Sequence, residues 1–187
     1  MELFKKNLEL LRVSQPSLAV RVEREPKQNV VRVLLAKDGN PIPQIGSVSL
    51  HSNYYPLKEA TDGLSDYVLN QNERPVIYGL GFGYHVLEIL KRCQNSEVLV
   101  IEPMMSVFQA FLESIDLEPF IPNTKFCIST PPPKIVSSNQ IDNWNKYEHQ
   151  PSKRLSNDYF RRLDKAIETS IYLNVNRLKI LVINPYY

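Results

Sequence analysis

Apolar positions along the chain fall into short solid blocks separated by stripes at helical spacing. Leu3, Phe4, Asn7, Leu8 and Leu11 recur near the helical period, which predicts an amphipathic helix over 2–12. Pro16 marks the start of a second short helix, since proline is tolerated in a first turn. Val30–Leu35 is apolar and β-branched and predicts a strand. Asp38-Gly39 supplies a turn, and a second strand near Ile42–Val48 completes a hairpin. Pro41 and Pro43 predict that this second strand lies at an edge. Pro56 opens a predicted helix over 56–70, with Leu57, Ala60, Leu64, Tyr67 and Val68 on one face. Gly63 in its interior weakens that helix by about 1 kcal/mol relative to Ala.

The centre is patterned more strongly. Val76-Ile77-Tyr78 is a short apolar block stopped by Gly79-Leu80-Gly81-Phe82-Gly83, and helical spacing resumes through Val86, Leu87, Ile89 and Leu90. Val98–Ile101 is a second buried-type strand, followed by a helix over 104–115 and a third strand over Lys125–Ser129. Apolar strands alternating with helices predict a parallel sheet covered by helices. The fold class is therefore α/β: a Rossmann-like, methyltransferase-like parallel sheet with flanking helices, preceded by a helix and a β-hairpin.

Beyond Thr130 the pattern loosens. Pro131-Pro132-Pro133 predicts a rigid extended segment, and 137–157 is polar without clear periodicity. A helix is predicted over Asn157–Tyr172 through Phe160, Leu163, Ile167 and Ile171, and a strand over Leu178–Ile183. The implied organisation is an N-terminal helical and hairpin region (1–55), a Rossmann-like core (56–138), a polar linker and helix (139–175), and the first strand of a further domain (176–187). A chain that stops where a crossover helix should begin is expected to be the N-terminal part of a longer protein.

Composition narrows the function classes. Twenty-two Lys plus Arg against 20 Asp plus Glu give a net charge of only +2, so a dedicated nucleic-acid binder is not expected. No apolar run approaches the roughly 20 residues of a membrane span. Charges near the N-terminus argue against a signal peptide. Cys93 and Cys127 lack metal or redox spacing, which predicts a reduced, cytoplasmic protein.

The candidate chemistry centres on Gly79-x-Gly81-x-Gly83, between a strand and a helix. Such glycines let a ligand approach the backbone at a helix N-terminus. A dinucleotide fingerprint needs its third glycine at position 84, which is Tyr84, so the loop fits an S-adenosylmethionine site better. Glu102 ends the next strand, where an acid accepts hydrogen bonds from ribose hydroxyls. His85 begins the helix beside the loop and could donate to a phosphate or carboxylate; equally, it could simply start the helix. These residues (Gly79, Gly81, Gly83, Tyr84, His85 and Glu102) form the candidate cofactor site, and an unliganded scaffold that keeps its turn glycines is the alternative. His51 and Asn53, in a polar aromatic loop, are candidate substrate contacts; a turn capped by Ser52 or Asn53 is the competing explanation. The three histidines lack metal-ligand spacing, so no metal is expected. No catalytic residue is identified: Asn184-Pro185-Tyr186-Tyr187 only superficially resembles a methyltransferase target motif. Lys153-Arg154 and Arg161-Arg162 read as a solvated helix face rather than a phosphate patch.

Ser49-Leu50-His51-Ser52, Pro56-x-x-Glu59-Ala60, Tyr78–His85 and Val100-Ile101-Glu102-Pro103, taken together over about residues 30–120, resemble the Rossmann-like domain of the motility accessory factor (Maf) family. That family is linked to bacterial flagellin glycosylation. Asn176–Tyr187 is similar to the start of a spore-maturation-type glycosyltransferase domain. The resemblance implies a cytoplasmic, nucleotide- or nucleotide-sugar-binding module that partners a C-terminal glycosyltransferase domain. Related domains occur in pterin pyrophosphokinases, so the loop could hold a nucleotide instead of S-adenosylmethionine. Three functions follow: a nucleotide-sugar module, a methyltransferase-like domain, or a non-catalytic scaffold, the last compatible with homo-oligomerisation through the N-terminal helices.

Overall fold

A computed structural model of the chain describes residues 2–70, 72–93, 96–141 and 143–183, with side chains described as far as Leu173. Two helices open it, α1 (Glu2–Ser14) and α2 (Pro16–Arg24). Glu2 in the first turn and Arg12 in the last both complement the α1 dipole. Pro16 sits at the start of α2, where its missing N–H costs nothing.

Strands β1 (Val31–Leu35), β2 (Pro41–Ile45) and β3 (Val48–Ser49) form an antiparallel sheet in the order β1-β2-β3. The Asp38-Gly39 turn forms as expected, with Gly39 at φ +85°. The edge placement expected from Pro41 and Pro43 is corrected: β2 is the central strand. The carbonyl of Pro43 accepts from Leu50 N–H at 2.9 Å, and that of Pro41 from the Tyr84 hydroxyl at 2.6 Å. Both prolines thus turn their peptide groups away from β1, and the β1–β2 ladder loses no donor. The helix expected over 56–70 is shorter, α3 (Pro56–Gly63), and ends at its glycine.

The main sheet is parallel throughout, in the order β6-β5-β4-β7, built from β4 (Arg74–Tyr78), β5 (Val98–Glu102), β6 (Thr124–Ile128) and β7 (Trp144–Glu148). Helices α4 (Tyr84–Arg92) and α5 (Met105–Ser114) connect the first three strands. The proline run leads into α6 (Pro132–Ser137), where Pro132 and Pro133 occupy the first turn. Then come β7, α7 (Gln150–Leu155) and α8 (Asn157–Ile183).

Strand alternation splits the core between two faces. Ile77, Val98 and Val100 pack with α4, α5 and the N-terminal helices. Val76, Tyr78, Leu99 and Ile101 pack against Ile135, Phe160 and Leu163. Each such side chain contributes about 2 kcal/mol by burial. Tyr78 stacks on Phe160 with ring centres 4.9 Å apart, and its hydroxyl donates to Asp164 at 2.9 Å. At the β6 edge, Gln15 stands in for a neighbouring strand. Its Oε1 accepts from Phe126 N–H at 3.0 Å and its Nε2 donates to the Thr124 carbonyl at 3.3 Å. An exposed ladder edge is covered this way.

The polar stretch expected as a linker supplies β7, α7 and the start of α8, all packed into this sheet. The strand expected over Leu178–Ile183 is corrected to the last part of α8, and Asn184–Tyr187 lie outside the described residues. Lys153 pairs with Glu148 and Arg161 with Asp158, which accounts for two of the four expected surface cations.

Asn7 fastens α1 to the end of α5. Its Nδ2 donates to the carbonyls of Leu112 (2.8 Å) and Ile115 (2.7 Å), and its Oδ1 accepts from Leu117 N–H at 2.9 Å. The side chain is fully buried. Asn7→Ala is expected to cost about 2–3 kcal/mol in urea unfolding, because three backbone groups lose their partner. A cost below about 0.5 kcal/mol, the level of an ordinary surface change, would refute this anchor.

Candidate functional site

The strand order reverses between β4 and β7, and the crevice beyond the C-terminal ends of strands at such a point is where open α/β sheets hold ligands. The glycine loop leaves β4 at this crevice, and His149 leaves β7 beside it. The backbone needs its glycines: φ is +94° at Gly79, +50° at Gly81 and +75° at Gly83. The loop is also packed tightly against the protein itself. A β-carbon on Gly79 would lie 2.2 Å from Ser152 Cβ, and one on Gly81 2.5 Å from His51 Nε2. One on Gly83 would lie 2.8 Å from the Phe120 ring. The glycines therefore admit side chains of this chain close to the backbone.

Glu102 lies beneath the same loop, 2% exposed. Oε2 accepts from Leu80 N–H and Oε1 from Met104 N–H, both at 2.9 Å. Burial pushes its carboxyl up to about 7, against the pull of these N–H groups and that of Gly81.

Tyr84 ties the loop to β2 through Pro41, and its ring stands edge-on to His51 at 5.0 Å. His51 Nε2 accepts from Phe82 N–H at 2.8 Å, which places the proton on Nδ1, 3.7 Å from Glu59 Oε2. Burial raises Glu59, but the His51 ring and the Ser52 N–H (2.7 Å) together hold it below the carboxylate range. His85 Nε2 lies 2.9 Å from the Gly79 carbonyl and must donate to it. Its Nδ1 then carries the lone pair, and it is buried without a hydrogen-bond partner. His149 Nδ1 lies 2.7 Å from the Ser152 hydroxyl, and its ring stacks on His85 at 4.3 Å. Burial lowers all three imidazoles, His85 to about 3, so they are neutral at pH 7.

Every expected cofactor-site residue, together with His51, is thus gathered at one place. Asn53 is not among them: it is exposed, and its carbonyl accepts from Lys37 N–H at 2.9 Å. The sequence pattern assigns no site role to His149, Ser152, Glu59 or Phe120. Glu59 carried a visible signal, lying one α3 turn from the His51 loop; the others arrive from distant elements.

Two hollows lie at the carboxyl ends of the sheet strands. A cavity of about 340 Å³ is lined by His51, Glu59, His85, Tyr147, Glu148 and His149, among others. An open cleft of about 420 Å³ at the ends of β5 and β6 is lined by Glu25, Gln28, Met104, Ser106, Gln109 and Ser129, among others. Ser129 has φ +46°, the only positive value of a non-glycine among the described residues. No described helix is long and apolar enough to cross a membrane.

No family model matches the chain, and no curated protein is significantly similar to it in sequence. In fold it is similar to the Maf glycosyltransferase of Magnetospirillum magneticum AMB-1, with a TM-score of 0.61 at 13% sequence identity. The match covers 88% of this chain and 35% of that protein, so this chain has a distant Maf-like, Rossmann-like α/β fold and spans about a third of that structure.

Proposed function

We propose that this chain is a Maf-like module of a bacterial glycosyltransferase, acting in surface or flagellar glycan assembly, with transfer chemistry carried by sequence outside it. The fold neighbour suggests the setting. The observation that carries the module's non-catalytic role is the filling of the glycine loop by Ser152, His51 and Phe120. A nucleoside would need that space, and Glu102 spends its carboxylate on the N–H groups of its own loop.

One feature favours a second reading, nucleotide or nucleotide-sugar binding. The cleft beside Pro103–Ser106 opens at the carboxyl ends of the strands, and its size suits a ligand.

Thermal unfolding with CMP-, UDP- and GDP-sugars, ATP and S-adenosyl compounds separates the readings. The scaffold role predicts no shift with any of them. A ligand at 100 times its Kd would add about 2.7 kcal/mol, an easily read upward shift. A shift with a nucleotide sugar moves the assignment to the binding module; one confined to the S-adenosyl compounds moves it to a methyltransferase-like domain. Glycosyl transfer by this chain alone would overturn the scaffold role outright.

A further inference from the structure

Beyond the scaffold role, and independently of it, we propose that His51, His85 and His149 form a binding site for one divalent transition-metal ion of the zinc or cobalt type. The chain has three histidines, and all three meet here. They come from the loop before α3, the start of α4 and the end of β7, and are 4%, 2% and 6% exposed. One ring nitrogen from each lies within 4.8 Å of the others. Zinc–nitrogen bonds of about 2.0–2.1 Å in a tetrahedral site set donor spacings near about 3.4 Å. The widest pair must therefore close by roughly 1.4 Å to complete the set.

The hydrogen bonds around the rings point the same way. A metal-bound imidazole characteristically gives its other N–H to a carboxylate or carbonyl. His85 does this with the Gly79 carbonyl, leaving Nδ1 bare. A buried acceptor without a partner is costly, and packing alone gives no return for it. An ion at Nδ1 removes that cost. His51 holds its Nδ1 proton toward Glu59 and directs the Nε2 lone pair to the loop, where Phe82 N–H now occupies it.

His149 is the ring that must move. It stacks on His85 with planes 9° apart, so the two in-plane lone pairs do not converge until one ring turns. Its side-chain partner is the rotatable Ser152 hydroxyl, and its other contact is the Leu50 backbone. The adjoining cavity leaves room for a water as fourth ligand, and the Glu59 carboxylate on its wall offsets part of the ion's charge. Imidazole donors suit zinc, cobalt, nickel and copper, not magnesium or calcium. Such an ion would clamp the N-terminal region, the glycine loop and β7 together at the switch point.

The test uses the full chain without a histidine tag, so that only these imidazoles are present. The protein is stripped with chelator and titrated with Co²⁺, followed by visible absorption and calorimetry. One equivalent should bind, with the strong visible bands of a four- or five-coordinate ion, and Zn²⁺ should displace it. His85→Gln should abolish binding, and Glu59→Gln should weaken it by about 10–100-fold at unchanged stoichiometry. Absence of binding, or binding unaltered by His85→Gln, overturns the proposal. Should His85→Gln fail to fold, the imidazole proton resonances of the wild-type chain decide. All three sets shift together with Zn²⁺ if the site exists, and unmoved resonances overturn it.

Discussion

Gly79→Ala is expected to destabilise the chain by about 2–5 kcal/mol. Two costs add. The residue sits at φ +94°, a left-handed conformation that costs an alanine about 1–2 kcal/mol. Its new methyl group would lie 2.2 Å from Ser152 Cβ and 2.6 Å from Ser152 Oγ, an overpacking worth about 1–3 kcal/mol. Gly39 supplies the control. Its φ is +85°, but nothing lies within 4 Å of its β-carbon position, so Gly39→Ala carries only the first cost. Ser152→Gly in the Gly79→Ala background should recover the second, and urea unfolding of the four variants closes the cycle. Equal losses at Gly79 and Gly39 would mean that α7 stands away from the loop in solution. The space would then be open to a ligand, and the scaffold role would lose its main support.

The parts of the fold legible in the sequence are those where one physical demand dominates. β4 and β5 are buried on both faces, so they read as solid apolar blocks, and the positive-φ turn after β4 demands its glycines. Glu102 is legible as the acid that ends the next apolar strand, 19 residues after Gly83. β7 was not legible because it is an edge strand. Trp144, Asn145, Tyr147 and Glu148 are only half-buried and Lys146 is exposed, so no apolar block marks it. Leu178–Ile183 misled for the opposite reason. A short apolar run fits a strand or a helix equally, and no glycine or proline separates it from the helix that precedes it. The prolines of β2 misled because the rule concerns which side of the ladder the missing N–H faces, and that depends on register. The histidine cluster lies wholly outside local pattern. Positions 51, 85 and 149 meet only because β7 joins β4 across the reversal of strand order.

Glu102 should make stability fall as pH rises through neutrality, relative to a Glu102→Gln chain. Burial raises its folded-state value to about 7 from the ordinary 4.5, so the folded chain holds this proton more tightly than the unfolded one. The resulting stabilisation is complete below pH 4.5 and is lost as pH climbs past 7. The span of the shift corresponds to about 3 kcal/mol. Glutamine has no such proton. It keeps one acceptor for the Leu80 or Met104 N–H and turns an NH₂ group toward the other, a cost of about 1–3 kcal/mol that does not vary with pH. Wild type should therefore exceed Glu102→Gln most at acid pH, and the gap should narrow by about 2.5 kcal/mol between pH 5 and pH 8. Urea unfolding at unit pH steps measures this, and the remaining titrating groups, common to both chains, cancel in the difference. Parallel profiles would show a carboxylate already ionised at pH 6. That is the behaviour of a solvated acid waiting for ribose hydroxyls, and it would return Glu102 to a nucleoside site. A converging pair of profiles would instead mark a desolvated group engaged with its own loop, as the N–H contacts of Leu80 and Met104 describe.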